Sequence, residues 1–195
     1  MAKRVETRRQ MLSAGHPLAN PQPGDPGTEN MTILGGKRVQ YVRAGDLRGM
    51  AGNPVEDDKV NALKTEVYNE PVILEYSPES GYGYIGEGNH RLAARGDDEL
   101  VPLYIYARSH IAEIHLKNTW KRPRQFTRPY ELCDENGYCP SQLLPSHLGF
   151  QTYPAPVEVD PQSPYRLYNN ETKAFEDKVT EESGGGNSTN PPPLL

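Results

Sequence analysis

The sequence has only two cysteines, no long apolar run and no excess of positive charge. Cys133 and Cys139 are separated by five residues in a loop-type segment, and two cysteines do not make a disulfide framework. We interpret them as free thiols, with a bridge or a metal site as the alternative. No apolar run approaches the ~20 residues of a membrane helix, and the first ten residues lack the apolar stretch of a secretory signal. We therefore expect a cytoplasmic protein with no membrane partner.

The charge balance bears on nucleic-acid binding. A net charge of -5 and a pI of about 5.6 argue against a protein that coats nucleic acid by bulk charge, so any such contact must be local. With 35% hydrophobic residues, 18 glycines and 19 prolines in 195 residues, the chain is too polar to be packed throughout. We expect one small core with long flexible ends.

Composition shifts divide the chain into four parts. Residues 1–35 are basic and then rich in turns, which predicts a flexible N-terminal arm. Residues 36–108 carry the periodic apolar signal of a folded domain, and residues 109–160 form a C-terminal extension without a sustained period. Residues 161–195 read as a mostly disordered tail that ends in Gly, Ser, Asn and Pro, with a short charged helix over 171–178.

The central part alternates strand and helix signals. Asn53, Pro54 and Glu56 have the spacing of a capped helix start, and the apolar period then predicts a helix to about residue 68. The other expected elements are a strand over 39–42, a hairpin over 71–85, a short helix over 90–95 and a strand over 101–107. This order predicts a small α/β (α+β) domain with a short mixed sheet.

A glycine-flanked turn between the hairpin and the short helix is the most informative feature. A helix start exposes unpaired backbone N–H groups and the positive end of the macrodipole, which together attract anions. Glycine permits positive φ and close approach of a ligand, asparagine suits the N-cap, and arginine can fork onto phosphate oxygens. The sequence therefore predicts a phosphate-binding site made of Gly86, Gly88, Asn89, His90 and Arg91.

Two residues of this turn are candidates for catalysis. Glu87 would repel a phosphate unless it holds Mg²⁺ or acts as a base, and His90 titrates near neutrality, as a general acid needs. The alternatives are that Glu87 faces solvent and His90 is hydrogen-bonded within the loop. Arg91 could likewise pair with Asp97 or Asp98 on the surface instead of binding phosphate.

The segment 117–128 is the strongest basic patch of the folded part. It combines five cations with two large aromatic side chains and no acid, which suits phosphate contact and base stacking. The alternative is a solvated basic loop that its aromatic residues anchor to the domain. The residues that we expect to contact nucleic acid are Lys117, Trp120, Lys121, Arg122 and Arg124.

The order of elements over about residues 38–108, with Gly88-Asn89-His90-Arg91 after the hairpin, resembles the ParB/sulfiredoxin superfamily. The resemblance implies a nucleotide site for ATP or CTP with Mg²⁺, in which His90 and Arg91 contact the phosphates. Asn89 stands where sulfiredoxins carry their catalytic cysteine, which argues against sulfinic acid reduction. ParB partition proteins have Glu-Arg-Arg after the glycine and a helix-turn-helix downstream, and this chain has neither.

The expected function is therefore that of a nucleotide-binding ParB-like protein of a phage or mobile element, acting in nucleic-acid metabolism in a partition or nuclease-like role. Nucleotide hydrolysis, nuclease activity and phosphotransfer are all open to such a site, since the fold does not name the reaction. A kinase of the same superfamily for a small molecule or protein is one alternative. A non-catalytic module that binds DNA or protein is the other.

Overall fold

The computed structural model describes residues 21–66, 70–77, 80–107, 122–126, 142–156 and 166–177. Within these ranges the fold is mixed α/β, as predicted, with a seven-stranded mixed sheet, a two-stranded sheet and few, short helices. The elements in chain order are β1 (Thr32–Leu34), β2 (Lys37–Arg43), α1 (Ala44–Arg48), α2 (Asp57–Leu63), β3 (Val72–Tyr76), β4 (Tyr82–Glu87), α3 (Asn89–Ala93), β5 (Leu100–Ala107), β6 (Arg124–Gln125), β7 (Gln142–Leu143), a 3₁₀ helix (Pro145–Leu148), β8 (Arg166–Asn169) and β9 (Ala174–Asp177).

The large sheet has the order β1-β2-β5-β3-β4-β6, and β7 pairs with β5. Strands β3 and β5 are parallel, with Leu74 opposite Ile105, while the other pairs of this sheet are antiparallel. The chain between the two parallel strands contains β4 and α3. Parallel strands need such a long crossover connection, and here α3 is the part of it that lies outside the sheet. The predicted hairpin and the strand over 101–107 are confirmed, and the turn from β4 to α3 follows from this crossover.

One face of the sheet packs against the helices. Alternate residues of β3, namely Val72, Leu74 and Tyr76, are fully buried, as expected for a strand with one face in the core. Each helix adds a leucine to the same apolar cluster, and these are Leu47, Leu63 and Leu92. Burying one such side chain stabilises the fold by about 1.5–3 kcal/mol. With so few buried residues each, the helices depend on the sheet.

Helix α2 is shorter than predicted at its start. It begins at Asp57 after an N-cap at Glu56 that makes no side-chain capping bond, so the prediction of Asn53 as the cap was wrong. Val55, which the predicted first turn would contain, is 39% exposed. A turn without a buried apolar side chain gains too little packing to be held in helical form. The predicted helix end near residue 68 was also wrong, because the helix ends at Leu63 with Lys64 as its C-cap, and residues 64–66 are not helical.

The predicted helix over 171–178 was also wrong where the structure describes it. Strands β8 and β9 pair as an antiparallel hairpin, with Asn169 opposite Ala174. The Asn169 Oδ1 accepts hydrogen bonds from the backbone N–H groups of Glu171 at 2.8 Å and Thr172 at 3.3 Å. Such an Asx turn reverses the chain locally, and Lys173 takes a positive φ of 57°. Because neither conformation fits a helix, the segment forms a hairpin although its charge pattern is typical of a helix.

Gln40 and His147 fasten the segment before β1 to the 3₁₀ helix. The buried amide of Gln40 donates to the carbonyls of Gly27 at 2.9 Å and Glu29 at 2.6 Å, and its Oε1 accepts from the Ser146 N–H. His147 Nδ1 accepts from the Leu144 N–H, and its Nε2 lies 3.3 Å from the Pro26 carbonyl. Residues 21–34, part of the predicted N-terminal arm, are therefore packed against the sheet.

Parts of the predicted terminal regions lie outside the described residues, namely 1–20 and 178–195. The same holds for Cys133 and Cys139. Short strands from the predicted extension join the large sheet, since β6 pairs with β4 and β7 with β5. None of the helices in the described part of the chain is long and apolar enough to span a bilayer.

The contacts of His147 predict how stability depends on pH. Burial, more than the opposing hydrogen bond to Pro26 and the nearby Asp25 and Glu29, lowers the pKa of His147. Because the unfolded chain then binds the proton more readily, the contribution of His147 is complete above its ordinary value of about 6.5 and is lost as the pH falls below it. The expected loss is at most about 1.4 kcal/mol per pH unit.

Urea unfolding of the parent and of His147→Gln between about pH 7.5 and about pH 5.5 checks this. The parent should lose more stability on acidification than the variant, which has no imidazole at this position. His90→Gln is measured in the same way for comparison, because it removes another histidine whose pKa is lowered by burial. Equal acid sensitivity in parent and His147→Gln would contradict the prediction.

Candidate functional site

The turn from β4 to α3 is built around Gly88. This residue is the N-cap of α3 with φ of 88°, a left-handed conformation that costs most other residues energy. A Cβ at this position would also lie 3.0 Å from the Val72 Cα. Asn89, predicted as the N-cap, is instead the first residue of the helix, because the glycine meets both conditions and takes the cap position.

Gly86 has a different reason for lacking a side chain. A Cβ there would overlap the carboxylate of Glu75 on the neighbouring strand β3. That carboxylate accepts a hydrogen bond from the Tyr84 hydroxyl at 2.6 Å. The space that a side chain at position 86 would need is therefore occupied by the Glu75 carboxylate.

Asn89 and His90 each carry a buried polar atom without a hydrogen-bond partner among the described residues. Asn89 is 7% exposed, and its Nδ2 donates to the Ile85 carbonyl at 3.4 Å while its Oδ1 has no partner. His90 Nε2 is likewise buried and unpartnered. An unsatisfied buried polar atom costs about 1–3 kcal/mol, so each of these two atoms can accept or donate one further hydrogen bond.

The surroundings of His90 keep its imidazole neutral. Burial lowers the pKa of His90, and the positive charges of Lys59 and Arg91 lower it further, while the carboxylate of Glu56 opposes them. Lys59 and Glu56 come from α2, which packs against α3. A neutral imidazole has one N–H donor and one acceptor nitrogen, so Nε2 can donate to an anion in one of the two tautomers.

Arg91 is engaged with the protein rather than with open solvent. Its Nη1 donates to the backbone carbonyls of Glu70, at 3.2 Å, and Pro71, and its Nη2 contacts the Glu70 carboxylate at 2.6 Å. The surface pairs considered from sequence are not formed by Arg91, since Asp97 contacts Arg48 and Asp98 lies 3.5 Å from Arg43. Arg91, which we predicted to bind phosphate, thus holds the start of β3 through these contacts.

Two further arginines bond to backbone carbonyls around α3. Arg48 donates to the carbonyls of Leu92, at 3.2 Å, and Arg95. Arg95 in turn donates to the carbonyls of Lys64, at 3.1 Å, and Glu66, just beyond the end of α2. These bonds give a side-chain partner to carbonyls at and just beyond the C-terminal ends of the short helices, although the Leu92 carbonyl also accepts from the Arg95 N–H at 3.3 Å.

Glu87, the predicted metal ligand and catalytic carboxylate, is exposed at the end of β4 opposite Ile73. No group of three or more His, Cys, Asp or Glu residues that could hold a metal occurs in the described part of the chain. A lone carboxylate still fits Mg²⁺ where the substrate's phosphates supply the other ligands, as is usual for this ion in nucleotide sites. Glu87 therefore fits a nucleotide-borne magnesium ion rather than a resident one.

The predicted nucleic-acid residues are only partly described. Lys117, Trp120 and Lys121 lie outside the described residues, whereas Arg122 and Arg124 are exposed at the β6 edge of the sheet. The Arg124 guanidinium stacks 5.1 Å from the Phe126 ring centroid and 5.7 Å from that of Phe150. Phe126 is buried against the core, as the anchoring alternative requires, and DNA contact by this segment stays a prediction.

Sequence reasoning did not identify Lys59 or Glu70 as neighbours of the turn. Lys59 belongs to α2, which precedes the turn by two strands, and Glu70 is 21 residues from Arg91. The only local signal is the position of Glu70 directly before the predicted strand. Comparison with known proteins adds no further residue: no family model, curated protein or solved structure matches this chain. The site therefore has to be argued from its own geometry.

The electrostatic coupling of α2 to His90 can be measured directly. Replacing Lys59 by Met removes a positive charge that disfavours the imidazolium, so the pKa of His90 should rise, and Glu56→Gln should lower it. An NMR titration of the His90 ring protons reports both shifts. Lys64→Met is the matched control, because Lys64 bonds to Asn61 at the end of the same helix. If Lys64→Met moves the pKa as much as Lys59→Met, the coupling is not specific.

Proposed function

We propose that the turn from β4 to α3 binds a nucleoside polyphosphate and that the domain is of the ParB/sulfiredoxin type. The observation that carries the proposal is the pair of unpartnered buried atoms, Asn89 Oδ1 and His90 Nε2, beside the left-handed glycine that starts α3. A ligand that reaches both atoms gains two hydrogen bonds and removes two desolvation costs. The natural competitor for the same atoms is a buried water molecule.

The order of elements supports the superfamily assignment. Strand β2, helix α2, the β3–β4 hairpin, the glycine turn, α3 and β5 follow one another as the resemblance requires. The parallel pairing of β3 and β5 brings the turn to one end of the sheet, next to α2. This fold leaves the reaction open, because one fold serves many reactions.

The chemistry of the two atoms favours a nucleotide over a simple anion. His90 Nε2–H can donate to a phosphate oxygen, whereas the Asn89 Oδ1 is an acceptor and needs a hydroxyl or amino donor. A nucleotide carries phosphate oxygens and ribose hydroxyls within one molecule. The positive charges of Lys59 and Arg91, which both act on His90, favour the anionic part on this side of the turn.

Titration calorimetry with ATP and CTP, each with and without Mg²⁺, tests the binding. His90→Ala should weaken binding roughly 10- to 150-fold, the scale of a hydrogen bond to a charged group, and Asn89→Ala roughly 3- to 10-fold. Asn61→Ala is the matched control, because the Asn61 Oδ1 accepts a hydrogen bond from Lys64 at the end of α2. Parent and His90→Ala with equal affinity would sink the proposal.

Hydrolysis of the bound nucleotide is the reaction that Glu87 would serve. Glu87 is the last residue of β4 and directly precedes the glycine cap, so it is the acid nearest to the turn along the chain. A magnesium ion shared between Glu87 and the phosphates would neutralise the charge that develops on them. Without that role the carboxylate would oppose an anionic ligand.

Glu87→Gln separates hydrolysis from binding. The amide keeps the shape and removes the charge, so affinity should stay within about tenfold while turnover falls by roughly 10² or more, the usual effect of losing a positioned acid–base group. Phosphate release under multiple-turnover conditions is the measurement, with Glu29→Gln as an exposed control away from the turn. A parent without turnover, and a variant that binds equally or more tightly, would leave a binding module and exclude the hydrolase.

A further inference from the structure

The Arg91 guanidinium contacts two backbone carbonyls and one side-chain carboxylate, and only the carboxylate can be exchanged for another anion without moving the backbone. Nη1 bonds to the backbone carbonyls of Glu70 and Pro71, which are fixed by the chain at the start of β3. Nη2 bonds to a side-chain carboxylate oxygen, Glu70 Oε2, at 2.6 Å. That carboxylate can rotate away without moving the backbone, while the two carbonyls cannot.

We infer that the Glu70 carboxylate occupies the anion position of Arg91 in the ligand-free protein and that a ligand phosphate replaces it there. This inference rests on the proposed nucleotide site. It identifies Glu70 as the group of the protein that competes with the phosphate for Arg91. A carboxylate and a phosphate present the same type of charged oxygen to a guanidinium. Arg91 follows His90 in the first turn of α3, and its positive charge acts on the His90 imidazole, so the two side chains can serve one phosphate chain.

The exposure of the two partners makes the exchange favourable. The Glu70 side chain is 38% exposed and that of Arg91 is 19% exposed. A released Glu70 therefore regains water, and a half-exposed ion pair is weak in any case. The retained bonds from Nη1 keep the guanidinium oriented, so little ordering is needed when the phosphate arrives.

Helix α3 offers a matched comparison in Arg95. Like Arg91, Arg95 bonds to backbone carbonyls of the segment after α2 and has a carboxylate partner, Glu99, at 3.9 Å. It lies beyond the C-terminal end of the helix, away from the glycine cap. Removing the Glu99 charge therefore tests the general effect of a lost carboxylate near α3 without touching the proposed phosphate position.

Glu70→Gln is the decisive variant. With the competing charge removed, ATP, CTP and inorganic tripolyphosphate should each bind about fivefold more tightly than to the parent, the scale of one half-exposed ion pair. Glu99→Gln should change affinity by less than about twofold on the same scale. Binding is measured by calorimetry on the full chain, and thermal unfolding of each variant shows that it is folded.

The outcomes separate this inference from the proposed function. If His90→Ala loses nucleotide binding but Glu70→Gln binds no more tightly than the parent, the competitor role is overturned and the site stands. Weaker binding by Glu70→Gln overturns it too, because Glu70 would then position Arg91 for the ligand. If neither the parent nor Glu70→Gln binds any of the three probes, both ideas fail. Binding by Glu70→Gln alone would support the competitor role most strongly.

A measurement on the unmutated protein guards against a variant that does not fold. The side-chain carboxyl carbon of Glu70, observed by NMR, should shift towards the position of a solvated carboxylate as tripolyphosphate saturates the protein. The carboxyl carbon of Glu99 should stay where it is. A Glu70 signal that does not move at saturation would overturn the inference.

Discussion

The hydrogen bonds from three arginine side chains to backbone carbonyls are the interaction on which the rest of this structure depends. Arg48, Arg91 and Arg95 bond to carbonyls within or next to α3, at the end of α2 and at the start of β3. Helices of five and seven residues are too short to be stable alone in water. The guanidinium groups supply the partners that these short helices cannot supply for themselves.

This constraint determines what the turn from β4 to α3 can do. The helix that carries Asn89 and His90 is held at its far end by Arg48 and along its side by Arg91. A site on a rigid element keeps its geometry better than one on a loop. The same arrangement places Arg91 in a structural role, so a ligand must share this side chain with Glu70 and Pro71 instead of having it alone.

The electrostatics of the turn are divided between two helices. The charges of Lys59 and Glu56 on α2 act on His90 of α3 in opposite directions, and burial adds to the effect of the lysine. A neutral histidine can donate one hydrogen bond to an anion but is poorly suited to act as a general acid at neutral pH, because its charged form is disfavoured. Glu87 is on the exposed side of the turn, where solvent screens its charge.

Strand and turn positions were predictable from sequence, while helix boundaries were less so. The β3–β4 hairpin and the positive φ of Gly88 are properties of a few adjacent residues, and both predictions are confirmed, whereas Gly86 does not take a positive φ. The start of α2 and the hairpin at Ala174–Asp177 were mispredicted, because the first depends on which residues the sheet can bury. The second depends on the Asn169 side chain, which stabilises a turn where the charge pattern indicated a helix.

The sequence by itself therefore determined strands β2, β3, β4 and β5, the left-handed cap and the residue types at the turn, since each follows from the conformational preferences of neighbouring residues. Only the tertiary structure decided how those types are used. It paired Arg91 with Glu70 across 21 residues, brought Lys59 towards His90 and filled the clearance at Gly86 with Glu75. Hydrogen bonds and charge pairs form between groups that packing brings together. The distance between two groups in the folded protein does not follow from the number of residues between them along the chain.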